Sequence, residues 1–304
     1  MHCSHSRILV LLLETGSPAP FFFLAWIMQS FGSASTVFSN MAEGSEATSE
    51  LRRHCVPAFN RKLALTIPTL GEAENIAALL GRVRAVLDPL NVDYEILIVD
   101  DDSCDGTADI VSRIAQEDAR IRLLVRKGQR GLSGAILYGW ENTDATIVGV
   151  MDADFQHPPE VLAELTRAIA SGCDLVIGSR YAFGGRLGEW NIFRRLLSSA
   201  AVRATWPVQR VGIRAKDPMS GFFFVRRECL TGIEFQQTGF KLLLEILVRA
   251  RISSIREIPF RFGRRYRGSS KANIKVALEY GRLLARLYCG RFGLSRSLPV
   301  STFD

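Results

Sequence analysis

Two acidic clusters are the first places in this chain where chemistry could reside. One reads Asp100-Asp101-Asp102-Ser103-Cys104-Asp105-Gly106-Thr107, the other Asp152-Ala153-Asp154-Phe155-Gln156-His157-Pro158-Pro159, and each follows an apolar run. Crowded carboxylates repel one another unless a metal or hydrogen-bond donors balance them. Two carboxylates at i and i+2 on an extended segment point to one side, which suits a hard divalent cation. Asp100/Asp102 and Asp152/Asp154 both have that spacing. The first cluster also reads as a turn, with Asp105 or Thr107 capping the following helix. For the second, the competing reading is a solvated turn ahead of a helix begun by proline. A third loop, Pro68-Thr69-Leu70-Gly71-Glu72, follows an earlier apolar run and brings Glu72.

Other chemistries lack their sequence marks. There is no GxGxxG after the first strand, no GxxxxGK[ST] and no GxSxG, which argues against dinucleotide oxidoreduction, P-loop hydrolysis and a serine nucleophile. Gly128, Gly131 and Gly134 read most simply as a tight loop entering a helix. The six cysteines are scattered, with no CxxC and no nearby histidine cluster, so reduced thiols in a cytosolic setting are expected. His157 reads as a structural residue beside a helix start.

The elements that carry these loops alternate in type. Apolar runs predict strands at Leu63–Ile67, Tyr94–Val99, Ile121–Val125, Thr146–Met151 and Cys173–Ile177. Amphipathic stretches predict helices over about Glu72–Leu87, Thr107–Asp118, Gly131–Asn142 and Pro158–Ser171. That alternation implies right-handed crossovers and a mainly parallel sheet with helices on both faces, an α/β fold. In such sheets ligands sit outside the carboxyl ends of the strands, which is where all three acidic loops would emerge.

Composition bounds the class. Over 304 residues, 47% are hydrophobic and 23% charged, which excludes a mainly disordered or collagen-like chain. No apolar run reaches the length of an orthodox membrane span. The net charge of +7 is uneven, since Lys241–Arg296 holds 14 basic and 3 acidic residues. That stretch calls for an anionic partner or a solvated face. Residues 1–60 differ from the rest and read as a loose leader or a mis-assigned start, with Met41 as an alternative initiator.

The motifs IVDDDSCDGT, MDADFQHPPE, GSRYAFGG, DPMSGFF, GFKLLLEILVRA and FGRRYRGSSK follow one another from about Leu63 to Lys271. In that order the chain resembles a family 2 glycosyltransferase of the GT-A fold, and within it a polyprenol-phosphate (dolichol-phosphate) mannosyltransferase. Arg180 and the Gly184-Gly185 pair lie in the motif that favours the mannosyl branch. The resemblance implies transfer of mannose from GDP-mannose to a polyprenyl or dolichyl phosphate, with inversion and with Mg²⁺ or Mn²⁺. It places Pro68, Glu72, Val99 and Asp101 on the nucleoside, and Asp152 and Ala153 along the donor. It makes Asp154 and Gln156 metal ligands, and it completes the phosphate site with Arg180, Lys241, Arg265 and Lys271. Asp152, Asp154 and Arg180 would be catalytic. The pattern departs at Leu70 and Gly71, where the family usually has tyrosine and asparagine, and at Asp102, where a small residue is usual.

The same resemblance divides the chain into a leader (1–60), a GT-A domain (61–265) and a basic acceptor loop with an interfacial helix and tail (266–304). The helix Ala272–Cys289 would set Ile274, Ala277, Leu278, Gly281, Leu284, Ala285 and Tyr288 towards lipid, or else pack on the domain. A helix around Asn191–Trp206, with Trp190, Phe193, Leu196, Leu197 and Trp206, offers a second lipid-facing surface. The protein is expected as a peripheral protein at the cytoplasmic side of a membrane, with a membrane-anchored subunit as a partner. Two other readings compete: a UDP-sugar donor (glucose or N-acetylglucosamine) for the same reaction type, and a basic nucleic-acid-binding protein. The acidic loops and the lack of a binding module argue against nucleic acid.

Overall fold

The computed structural model describes residues 61–183, 192–235, 241–263 and 274–291. The expectations for residues 1–60, for the basic loop from Arg264 and for the tail beyond Arg291 lie outside them. Seven strands form one sheet: β1 (Leu63–Thr69), β2 (Tyr94–Asp100), β3 (Ile121–Val125), β4 (Ile147–Val150), β5 (Leu175–Ser179), β6 (Phe223–Arg226) and β7 (Ile255–Pro259), in the order β3-β2-β1-β4-β6-β5-β7. Only β6 runs antiparallel to its neighbours, β4 and β5. The helices are α1 (Ala73–Leu87), α2 (Thr107–Glu117), α3 (Leu132–Glu141), α4 (Leu162–Ala170), α5 (Ile192–Thr205), α6 (Leu242–Arg249) and α7 (Ile274–Arg291).

The central strands β1, β2 and β4 are buried along nearly their whole length because both faces of the sheet are covered there. Leu63, Leu65 and Ile67 of β1 join a core with Ile76, Leu79 and Leu80 of α1, Val111 of α2 and Leu165 of α4. On the other face, Val148, Ile177 and Phe223 pack with Trp140 of α3 and Ile246 of α6. Gly149 permits the β4–β6 contact: a Cβ there would lie 2.0 Å from a Phe224 ring carbon.

The five strands and four helices read from periodicity are present, with shifts at their ends. β5 begins two residues later than expected, and a 3₁₀ turn over Pro159–Val161 opens α4. Periodicity alone missed β6, β7 and α6. β6 is four residues long and follows Phe222 without a polar break, and β7 carries Arg256 and Glu257 in its middle.

The terminal helix α7 is also present, and the face it turns to the protein is offset from the apolar face read from sequence. Tyr280, Leu283, Leu284, Leu287 and Tyr288 pack towards Val208, Leu244 and Val248. The Tyr280 and Tyr288 hydroxyls donate to the carbonyls of Ala201 and Ala204 on α5. Leu284 and Tyr288 therefore face the domain, and Leu278 is exposed. Of the residues named for a second lipid-facing surface, Trp206 is one whose side chain is described, and it is half exposed.

Candidate functional site

The strand order reverses direction between β1 and β4, which opens a crevice outside their carboxyl ends. The loops after β1, β2 and β4 all emerge there. Because β6 runs antiparallel, its preceding segment Asp217–Phe222 arrives at the same edge, and so do the end of β5 at Arg180 and the end of β7 at Phe260–Gly263.

The first acidic cluster is mostly architecture. Asp100 is fully buried, accepting from Thr69 Oγ1 at 2.8 Å, Ser103 Oγ at 2.6 Å and the Ser103 amide at 2.8 Å. β2 ends at Asp100 and Asp102 adopts a φ of 57°, so the extended geometry required for a shared cation is lost. The expected Asp100/Asp102 pair is corrected accordingly. The cap position of α2 is taken by Gly106, at a φ of 91°, rather than by Asp105 or Thr107. Asp105, one residue earlier, accepts from the Thr107 amide, and its other oxygen accepts from the Ala73 amide at the start of α1. Burial pushes the Asp105 carboxyl up, but the Thr107 hydroxyl and these amides outweigh that and hold it below the usual range. One side chain thus braces two loops. Gly71 has a φ of 75° and donates to Ser103 Oγ, and Glu72 accepts from Asn75 Nδ2 at 2.7 Å.

Asp101 is also buried. It accepts from Arg126 Nε at 2.7 Å and from the Gly131 amide at 2.8 Å, and Arg126 donates in turn to the Gly131 carbonyl. Sequence reasoning had no mark for Arg126, which follows the short strand β3 as an ordinary basic residue. Pro68 is half-buried at the end of β1 beside Val99. The Val99 side chain is core, facing Gly139.

The second cluster keeps its chemistry. Asp152 is partly exposed, with its side chain 36% accessible, and its amide donates to His157 Nδ1. Gly221 leaves room for that carboxylate: a Cβ there would meet both oxygens at 3.3 Å. Ala153 and Asp154 are buried, and Asp154 Oδ1 accepts from the Gln156 amide at 3.1 Å. The turn requires Phe155 at a φ of 62°, an uncommon conformation of the kind that clusters at functional sites. The Gln156 carbonyl accepts from the Gly263 amide at 2.9 Å, so the basic motif starts from the back of the acidic loop.

His157 holds Asp152 from below. It is buried, stacked on Phe222 at 5.1 Å and flanked by the edges of Phe260 and Phe262. Burial, more than any nearby charge, pushes its pKa down to about 4. The unfolded chain, near 6.5, takes up this proton first. The stability contribution is therefore complete above about pH 6.5 and is lost as pH falls towards 4, by up to about 1.4 kcal/mol per unit. In metal-free protein, urea midpoints between pH 7 and pH 5 are expected to fall less for His157→Asn than for wild type. Equal falls would refute this assignment.

Two cations face the carboxylates. Arg180 donates from its amide and guanidinium to the fully buried Asp217, and its guanidinium lies over the Phe262 ring at 5.3 Å. Burial pulls the Arg180 pKa down, and Asp217 more than offsets it. Lys241, half-buried ahead of α6, has its pKa lowered by burial first and then by Arg180, against the pull of Asp152 and Asp217. Arg265 and Lys271 lie outside the described residues.

Glu72, Asp101, Asp152, Asp154, Gln156, Arg180 and Lys241 therefore lie on loops at one sheet edge. The carboxylates of Asp152 and Asp154 and the side-chain carbonyl of Gln156 are hard oxygen ligands, which fit Mg²⁺ or Mn²⁺. Among the described residues no three His, Cys, Asp or Glu side chains form a complete cage. Remaining positions would fall to phosphate oxygens and water, the usual situation for Mg²⁺. No helix among the described residues is long and apolar enough to cross a membrane.

Comparisons with known proteins agree with this layout. The model of glycosyl transferase family 2 matches residues 64–235. The chain is 40% identical to a dolichol-phosphate mannosyltransferase of Pyrococcus furiosus over 74% of its own length and 63% of that protein's. It is 34% identical to the Saccharomyces cerevisiae dolichol-phosphate mannosyltransferase over 79% and 92% of the two chains. It spans less than two-thirds of the archaeal relative. Among solved structures, mannosyl-3-phosphoglycerate synthase from Rubrobacter xylanophilus superposes with a TM-score of 0.56 at 16% identity over 80% and 79% of the chains. Glucosyl-3-phosphoglycerate synthase from Mycobacterium tuberculosis, in complex with Mn²⁺ and UDP-glucose, gives 0.53 at 21% over 80% and 82%. These two likenesses establish the fold, the GT-A arrangement.

Proposed function

We propose that this chain, which belongs to glycosyltransferase family 2, transfers mannose from GDP-mannose to a polyprenyl or dolichyl phosphate with inversion at the sugar carbon. The observation that carries the reading is the opposition of Asp152, with Asp154 next to it on the same loop, to the half-buried cations Arg180 and Lys241 at one sheet edge. Like charges within each group repel, and a diphosphate with its divalent cation relieves both. Asp154 and Gln156 would hold the cation, with Asp152 beside it. The bound cation supplies Lewis-acid stabilisation of the departing diphosphate. Asp101 and Glu72, fixed by Arg126 and Asn75, offer acceptors for the nucleoside.

The chain's own residues then have limited work to do. A phosphate monoester is largely dianionic near neutral pH, its second pKa being about 6, so the acceptor needs no general base. That agrees with His157 being buried and neutral. Arg180 and Lys241 neutralise charge between acceptor and donor and orient both phosphates. Arg265 and Lys271 are proposed to extend that cationic wall, and α7 with the basic C-terminal stretch to rest on the membrane surface that holds the lipid, as a peripheral protein on its cytoplasmic side.

The test is transfer of labelled sugar to polyprenyl phosphate in vesicles from GDP-mannose, UDP-glucose and UDP-N-acetylglucosamine, with Mg²⁺ or EDTA. Label is expected in the lipid phase from GDP-mannose with metal. Transfer from a UDP-sugar instead would replace the donor, and none from any donor would overturn the reading.

A further inference from the structure

We propose that Asp217 is a positioning residue: it sets the Arg180 guanidinium relative to Asp152, and Glu257 in turn sets Asp217. This deepens the transferase reading and rests on it. Asp217 Oδ2 accepts from the Arg180 amide at 2.9 Å and from Nε at 2.8 Å, and Oδ1 accepts from Nη2 at 2.8 Å. One carboxylate thus fixes both the backbone from which Arg180 departs and the plane of its guanidinium. Tyr181 and Phe262 flank that plane at 5.7 and 5.3 Å.

Asp217 is itself held. Glu257 of β7 accepts from the amides of Lys216 and Asp217, each at 3.0 Å, and Glu257 lies opposite Ile177 in the β5–β7 ladder. The turn that begins at Asp217 runs to Gly221, which lies against the Asp152 carboxylate. A single rigid turn therefore touches the cation on one side and the acidic loop on the other. A buried ion pair is weak evidence for stability, because apolar residues of similar volume often serve as well. Because the turn that starts at Asp217 reaches the Asp152 carboxylate at Gly221, the pair is assigned to orientation, where an error of about 1 Å can cost roughly 100-fold in rate.

The experiment is a double-mutant cycle on kcat, KM and Tm with Asp217→Asn, Arg180→Lys and the pair. Asp217→Asn is expected to lower kcat roughly 100-fold with a much smaller change in KM for the nucleotide sugar. Adding it to Arg180→Lys is expected to cost little more, because both act through one group. Losses that multiply in the pair, or a lowered Tm with wild-type kcat, would overturn the proposal. If Asp217→Asn does not fold, Glu257→Gln, which touches Asp217 through backbone amides alone, replaces it in the same cycle. A reduced kcat coupled to Arg180 supports the relay, and a wild-type kcat overturns it. The cycle is also read on Mg²⁺–GDP and Mg²⁺–UDP affinity by calorimetry, which needs no turnover. Coupling there without transfer by the wild type would retain Asp217's role and reject the reaction. Transfer by the wild type with losses in kcat that multiply in the pair would do the reverse, and no binding of either nucleotide would overturn both.

Discussion

Asp154→Ala is expected to abolish metal-dependent transfer, lowering kcat by roughly a thousandfold, comparable to losing a group aimed at developing charge in a transition state. The fold is expected to survive. Asp154 lies on the loop after β4, where Oδ1 accepts from the Gln156 amide at 3.1 Å, and its side chain belongs to neither apolar core face of the sheet. The variant's Tm should stay close to wild type while Mg²⁺ no longer raises the affinity for GDP in calorimetry. Asp102→Ala is the contrasting variant. Asp102 is exposed in the left-handed region at the end of β2, and it is expected to keep most activity. Full activity in Asp154→Ala would remove the second acidic loop from the chemistry and leave the family fold without an assigned metal site.

That contrast shows what the sequence made legible. Both DxD pairs have the same spacing, and nothing in composition separates them. What separates them is where the strand ends: β2 runs through Asp100 and buries it under Thr69 and Ser103, whereas β4 ends at Val150 and leaves Asp152 in the crevice. Five strands and their helices were readable because two-sided burial makes each a continuous apolar run. The antiparallel β6 and the charged β7 were not, since a four-residue strand and a strand with Arg256 and Glu257 carry too little pattern. Their ends nevertheless deliver Gly221, Phe260 and Phe262 to the site. Arg126 carried no mark in the sequence, and Asp217, though it opens the DPMSGFF motif, had no role assigned there, for a related reason. Their partners, Asp101 and Arg180, are 25 and 37 positions away, and sequence spacing carries no information about such pairings.

Arg126→Leu is expected to be the most destabilising single change at the site, by about 3–5 kcal/mol, the cost of leaving one partner of a buried ion pair uncompensated. Arg126 and Asp101 are 6% and 4% exposed, and Arg126 bridges Asp101 to the Gly131 carbonyl. With leucine in its place, the Asp101 carboxylate keeps the Gly131 amide as a donor but loses its counter-charge. A domain of ordinary stability, 5–15 kcal/mol, would then have little reserve at 37 °C. Asp101→Asn in the same chain is expected to recover much of the loss, because a neutral amide removes the stranded charge while still accepting from the Gly131 amide. Nucleotide affinity should not recover with it, since the acceptor offered to the nucleoside is now a neutral amide. Urea denaturation and GDP calorimetry on the two single variants and the double variant separate these effects. An Arg126→Leu protein as stable as wild type would mean that the pair is hydrated rather than buried, and a double variant that regains both stability and GDP affinity would take Asp101 out of the nucleoside site.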